Sequence, residues 1–258
     1  MRTGILGILA CAALGGGIGL ATLPACAATD RYDAAVQHAG RSTADLQRDK
    51  LEHPADILRL SGIKPGMQVA DVLAGGGYYS ELLSYIVGPK GHVLLLNNTA
   101  YDHWSNGDWE NRLTGNRLPN VEHRTVDLEH LDLPDHSLDA LILVKVYHDL
   151  YWIDPKPEAI WPKMNTGVVL DQLARVLKRG GVLLIEDHSA KAGTGSADAS
   201  TLHRIDEAYT VKDFEKRGFE LIGKSDVLRR ADDQRTLVSY TPPGLGKTDR
   251  FVLVFRKK

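Results

Sequence analysis

An α/β domain built on a mostly parallel sheet is what this sequence predicts, and three observations predict it. A short apolar run ending in a carboxylate, Val69-Ala70-Asp71-Val72, is followed by Gly75-Gly76-Gly77. Next comes an amphipathic segment with Tyr79, Leu82, Leu83 and Ile86 on one face, so the stretch reads as strand, tight turn, helix. Strand-like and helix-like runs then alternate along the chain with short turns, as a sheet covered on both faces requires. Finally, two terminal apolar runs flank Thr241-Pro242-Pro243-Gly244, the pattern of an antiparallel hairpin at a sheet edge.

The chain has 258 residues and a formal charge of -2, enough for one domain with a sizeable core. No Lys/Arg run or basic stripe is present, so a nucleic-acid partner is not expected. Residues 1–27 differ in kind: Arg2, an almost uncharged apolar run from Gly4 to Leu23, then Ala25-Cys26-Ala27. This reads as a secretory signal with a small-residue cleavage site, and predicts an exported, periplasmic protein with no membrane span after processing. Leu23-Pro24-Ala25-Cys26 also resembles a lipoprotein cleavage box, which would leave a lipid on Cys26; the mass of the mature N-terminus separates the two. The only cysteines are Cys11 and Cys26, so the mature domain has no disulfide, no thiolate nucleophile and no cysteine-based zinc site.

Residues 28–61 are polar and helix-like, and predict two or three short helices covering one sheet edge, broken at Glu52-His53-Pro54 because proline is tolerated only at a helix start. Residues 62–258 form the main domain. Strands are expected at Met67 to Val72, His92 to Leu96, Glu122 to Val126, Leu138 to Val146 and Val182 to Glu186. A helix is expected over Thr166 to Lys178, with Val169, Leu173, Val176 and Leu177 at helical spacing. Ala192 to Ser200 reads as a flexible loop, Thr210-Val211-Lys212-Asp213 as a capping box, and Gly218 as a helix stop. Phe219 to Ile222, Thr236 to Tyr240 and Phe251 to Arg256 read as the closing strands, the last two paired as the hairpin.

Glycine in the turn after Val72 permits positive φ and close approach of a ligand to the backbone, while the following helix aims its free N–H groups at the same place. The spacing departs from Gly-x-Gly-x-x-Gly and lacks the Lys-Ser/Thr of a phosphate loop. It resembles the nucleoside-binding first motif of class I S-adenosylmethionine-dependent methyltransferases, an acid followed by Gly-x-Gly-x-Gly, with Leu73 standing at the first glycine. Leu133 to Asp139 and Leu177 to Gly181 look like later landmarks of that family, and the resemblance runs from about Asp56 to the C-terminus. It implies a Rossmann-like class I methyltransferase fold, a mostly parallel seven-stranded sheet with an antiparallel C-terminal hairpin. It also implies S-adenosylmethionine as cofactor, held by Asp71, Gly75, Gly76, Gly77, Asn97, Asp127 and Leu128. Asn97 stands where the family has an acid for the ribose hydroxyls, Asp127 would accept from the adenine amine, and Leu128 would supply a backbone N–H and a ring wall. All are expected to converge on one adenosine-sized pocket.

More narrowly, Gly75 to Tyr79, Tyr147-His148-Asp149, Asp187-His188, Leu202 to Asp206 and Gly246 to Leu253 resemble a group of exported bacterial predicted methyltransferases. Tyr147-His148-Asp149 follows the fourth strand and Glu186-Asp187-His188 the fifth, so both open on the face where the turn lies. His148 or His188 would be a base for the acceptor's proton, oriented by Asp149 or Asp187, with His203, Arg204 and Asp206 folding over the mouth. Tyr147, Trp152 and Trp161 would give the sulfonium an aromatic wall. Three histidines with nearby aspartates are also adequate ligands for zinc, iron or manganese, although no His-x-x-x-His pair falls on a predicted helix and no residue is assigned to a metal. The expected partner is a small or envelope-associated acceptor; the alternative is a binding protein that keeps the fold for a nucleoside or a metal. The residues leave the oligomeric state open.

Overall fold

The structure, a computed structural model, describes residues 30–154 and 160–258; the signal-like segment, including Cys26, lies outside the described residues. Three short helices come first, α1 (Arg31–Val36), α2 (Thr43–Glu52) and α3 (Pro54–Ser61). The predicted break falls where expected: His53 adopts a left-handed φ of 46° and Pro54 opens α3, where its missing N–H has no helical partner to lose. The chain continues through β1 (Gln68–Val72), α4 (Tyr78–Val87), β2 (His92–Asn97), α5 (Thr99–Ser105), α6 (Asp108–Leu113), β3 (Val121–Thr125) and β4 (Leu138–Val144). It closes with α7 (Thr166–Val176), β5 (Leu177–His188), α8 (Ala199–Leu202), α9 (Glu207–Glu215), β6 (Phe219–Ser225) and β7 (Arg250–Lys257).

The seven strands make one sheet in the order β3-β2-β1-β4-β5-β7-β6. β1 to β5 run parallel, and β7 inserts antiparallel between β5 and β6. Side-chain alternation divides the core cleanly. Val69, Val93, Ala140, Ile142, Leu184, Val252 and Val254 face one side, where α3 and α4 pack through Ile57, Leu58, Leu82, Leu83 and Ile86, joined by Tyr32 and Ala35 of α1. Ala70, Leu94, Leu141, Leu143, Ile185, Phe251, Leu253 and Phe255 face the other, against α7 and α9 through Leu170, Leu173 and Phe214. Of the N-terminal helices, α3 lies on the first of these faces over β5, β7 and the edge strand β6, and α1 packs on α3 and α4.

Two local expectations fail for identifiable reasons. Thr236 to Tyr240 is not a strand, so the terminal hairpin pairs β6 with β7. The 236–240 backbone is bonded elsewhere: Ser239 N donates to Leu202 O, and Leu237 O accepts from Arg204 Nε. Thr210 does not begin a helix either, because Asp206 already caps α9 by accepting from Ala208 N. Gly218, at φ 79°, does follow the end of that helix. The stretch expected to be a flexible loop is a run of turns tied to the body by Gly193 N donating to Asp206 Oδ2 and Asp206 N donating to Gly195 O.

Candidate functional site

The glycine turn lies at the carboxyl end of β1, where open parallel sheets bind ligands. Gly75 and Gly77 have φ of 57° and 77°, and Leu73 shares the left-handed region at 55°. A left-handed non-glycine costs roughly 1–2 kcal/mol, which burial of a leucine side chain, worth about 1.5–3 kcal/mol, offsets; Leu73 sits in the core. Two of the glycines are needed for packing. A Cβ on Gly76 would lie 2.8 Å from Asp108 Cβ, and one on Gly77 would lie 2.7 Å from Leu95 Cδ1. A Cβ on Gly75 would instead make only an ordinary contact, 4.0 Å from Tyr101 Cδ1.

Asn97 is fully buried and brackets Gly75, its Oδ1 accepting from Gly75 N at 2.9 Å and its Nδ2 donating to Gly75 O at 3.0 Å and Asp102 Oδ1 at 2.9 Å. It shapes the turn instead of presenting a free amide to a ribose. Asp71 is buried beneath the turn and accepts from Ser80 Oγ at 2.7 Å; burial pushes its carboxyl up to about 7. An acid whose pKa rises on folding favours the folded state most below its unfolded value near 4, and loses that advantage as pH climbs through 7. The difference is on the order of 4 kcal/mol. Asp71→Asn is therefore expected to flatten the fall in urea midpoint between about pH 5 and about pH 8 relative to the natural sequence; equal slopes would remove Asp71 as the cause.

A cavity of about 760 Å³ opens beside the turn, lined by Gly75, Gly76, Tyr101, Trp104, His148, Asp149, Trp152, His188 and His203. Leu51 and Glu52 from α2 close one side, and Tyr240, Leu245 and Thr248 from the 226–249 connection close another. Its size falls within the roughly 300–1,000 Å³ of small-molecule sites. Asp127 and Leu128 lie elsewhere. They line a separate cavity of about 530 Å³, where Asp127 caps its own turn by accepting from Glu129 N at 2.9 Å and pairs with His130 at 3.0 Å. The two cavities share no lining residue. Tyr101 and Trp104 from α5, which line the first cavity, pack against Trp161 at 5.9 and 5.8 Å. The expected convergence of Asp71, the turn, Asn97 and Asp127 on one pocket is thus corrected: Asp127 and Leu128 line a different cavity from Gly75 and Gly76.

The histidine expectations converge better. Asp187, fully buried at the end of β5, accepts from His148 N at 2.8 Å and His148 Nδ1 at 2.7 Å, locking the turn after β4 onto the end of β5. His148 Nε2 then faces Asp149 Oδ1 at 3.1 Å and His203 Nδ1 at 3.3 Å, while His203 Nδ1 lies 3.2 Å from Asp149 Oδ1. Tyr101 Oη donates to Asp149 Oδ2 at 2.5 Å. Burial alone would lower the His148 pKa, but Asp149 and Asp187 outweigh it and carry it up to about 10. Burial raises Asp149, and the same His148 pulls it back well below the carboxylate range. His188 pairs through Nδ1 with Thr248 Oγ1 at 2.8 Å, and burial, aided by the cationic His148, holds it well below the usual imidazole range.

Other expected site residues go to structural work. Tyr147 turns away from the cavity to donate to Asp213 Oδ2 at 2.6 Å. Trp152 lines the cavity, whereas Trp161 lies behind Trp104. Arg204 is buried, donating to Asp233 Oδ2 at 2.7 Å and Ser189 O at 2.9 Å, and Asp206 is the cap of α9. Glu52, Lys145 and Arg250 also stand on the cavity wall, unmarked by any pattern that assigns them a role, although Arg250 and Thr248 lie inside the Gly246 to Leu253 motif.

A sheet of this order with a glycine turn after its first strand is the fold of the class I S-adenosylmethionine-dependent methyltransferases. Within it, residues 70–185 match the methyltransferase domain family. The chain is similar to the ubiquinone/menaquinone biosynthesis C-methyltransferase UbiE of Ectopseudomonas mendocina (strain ymp), with 30 % identity over 162 residues. That match covers 60 % of this chain and 57 % of the relative, so the chain spans little more than half of that relative's length. Among solved structures, a SAM-dependent methyltransferase from Aquifex aeolicus superposes with a TM-score of 0.59 at 22 % identity, covering 81 % of this chain and 92 % of that one. The [4+2]-cyclase SpnF superposes at 0.58 and 16 % identity, covering 83 % and 81 %.

Proposed function

We propose that the protein is an S-adenosylmethionine-dependent methyltransferase acting on a small or envelope-associated acceptor. The observation that carries this reading is the cavity itself, which the glycine turn enters from one side and a histidine–aspartate cluster from another. Bound there, S-adenosylmethionine would supply a methyl group on a cationic sulfonium. Gly75 and Gly76 let the backbone approach it, and the rings of Tyr101, Trp104 and Trp152 suit a cation better than a charged wall would. His148 has its Nδ1 committed to Asp187 and its Nε2 turned to Asp149 and His203, which leaves His188, kept neutral by burial and paired through Nδ1 with Thr248, as the candidate to receive a proton from an acceptor. Asp187 positions His148, and Asp149 with His203 completes the wall. The name of the curated relative supports a flat apolar acceptor, which suits the exposed Leu51, Trp104, Tyr240 and Leu245 at the rim. Export from the cytoplasm, read from residues 1–27, belongs to the same proposal.

Calorimetric titration with S-adenosylmethionine and S-adenosylhomocysteine tests it. Micromolar binding is expected, and Gly75→Asn, which keeps a left-handed backbone while placing an amide in the cavity, is expected to weaken it at least about tenfold. Loss on Asp127→Ala would show that the donor also reaches the second cavity. No heat with either ligand would overturn the assignment. It would favour a binding protein on this fold, the reading that Leu73, Asn97 and the divided cavities support.

A further inference from the structure

We propose that His148 Nε2, Asp149 Oδ1 and His203 Nδ1 form a binding site for a divalent first-row transition-metal ion, with an open coordination position facing the cavity. The three atoms make a nearly equilateral triangle with edges of 3.1, 3.2 and 3.3 Å. A tetrahedral ion with ligands at about 2.0–2.1 Å has ligand–ligand edges of about 3.3 Å, so the triangle already has the size of one face of such a polyhedron. Among the described residues this is the one cluster of histidine, cysteine or acidic groups whose ligand atoms close to such a distance.

The surroundings are those of a built site. Asp187 Oδ1 accepts from His148 Nδ1 at 2.7 Å, which fixes the tautomer, leaves Nε2 as the ligating nitrogen and raises its basicity. Tyr101 Oη occupies Asp149 Oδ2 at 2.5 Å and leaves Oδ1 free to ligate. His203 sits at the end of α8 with φ 50°, its ring held by Tyr240 at 4.4 Å and Trp152 at 5.5 Å, so its Nδ1 is aimed by packing and not by a flexible tether. All three ligands border the 760 Å³ cavity, which provides both an entry path and room for a further ligand. Once the ion displaces the Nε2 proton of His148, two neutral imidazoles and one carboxylate suit zinc or iron(II) better than magnesium or calcium. A divalent ion there is balanced in charge by Asp149 and by Asp187 behind His148, so the open position would take an oxygen donor such as water, a phenol or a carbonyl, polarised by the ion. The site does not depend on methyl transfer and would stand if no methyl donor bound.

The test uses the chain without a histidine tag, stripped by chelator and titrated with Co²⁺ by visible d–d absorption and with Zn²⁺ by calorimetry. One ion per chain is expected, bound at micromolar affinity or tighter. His203→Asn, which tolerates the left-handed backbone, is expected to weaken binding by about 100-fold or more with an unchanged far-UV spectrum. Asp187→Asn is expected to weaken it by about 10–100-fold through loss of ligand orientation. Asp149→Asn serves as a second ligand variant should His203→Asn misfold. Absence of saturable binding of either ion below about millimolar concentration would overturn the proposal. So would equal affinity in the natural sequence and a folded ligand variant; the cluster would then be held by hydrogen bonds alone.

Discussion

Replacement of Arg250 by methionine is expected to destabilise the protein by about 3–5 kcal/mol, lowering the melting temperature by roughly 10 °C in a domain of this size. The guanidinium is buried where β7 begins. Its Nη1 donates to Glu186 Oε1 at 2.9 Å and to Glu52, and Nη2 donates to Leu51 O at 3.0 Å. Glu186 is fully buried and its Oε2 has no hydrogen-bond partner, so losing Arg250 strands a carboxylate that water cannot reach. Lys145 stays paired to Glu52 at 2.8 Å, which leaves one cation instead of two tying the end of α2 to the sheet, beside Arg48 of α2 itself at 3.7 Å. Urea unfolding measures the loss. The double variant Arg250→Met, Glu186→Gln should recover part of it, because the stranded charge is then absent; no recovery would mean that the cost lies in packing.

Arg204→Met is expected to be of similar size but to be felt in a different place. Arg204 has no solvent exposure and binds Asp233 Oδ2 at 2.7 Å, Ser189 O at 2.9 Å and Leu237 O at 2.8 Å. These contacts gather the 226–249 connection against the body, and that connection supplies Ser239, Tyr240 and Leu245 to the cavity wall. Loss of about 3–5 kcal/mol is expected, accompanied by faster proteolytic nicking and amide exchange within 229–246 than in the strands. Uniform acceleration across the sheet would place the role of Arg204 in the global fold and not in the connection.

Strands β1, β2, β4 and β5 were legible because each is an apolar run fixed by local composition and bounded by turn residues. The segment 236–240 has the same look, yet its backbone partners are Arg204 and Leu202, far away in sequence, and no local pattern announces them. The His148, Asp187 and His203 cluster was legible because parallel strand ends must open on one face. Asn97 and Asp127 are committed to Gly75 and to the turn at Glu129, the first a tertiary partner that spacing does not reveal and the second a local cap, while α5 brings Tyr101 and Trp104 to the wall of the glycine-turn cavity. That helix lies in a polar, tryptophan-containing stretch whose packing against Trp161 is a tertiary choice that residue spacing does not encode.

β7 sits inside the sheet with a neighbour on each side, so the order in which segments become available matters. During synthesis β5 and β6 emerge with no rib between them, and both stay open-sided until Lys257 has left the ribosome. The sheet is therefore made continuous only after β6 exists, when β7 threads into the gap between it and β5.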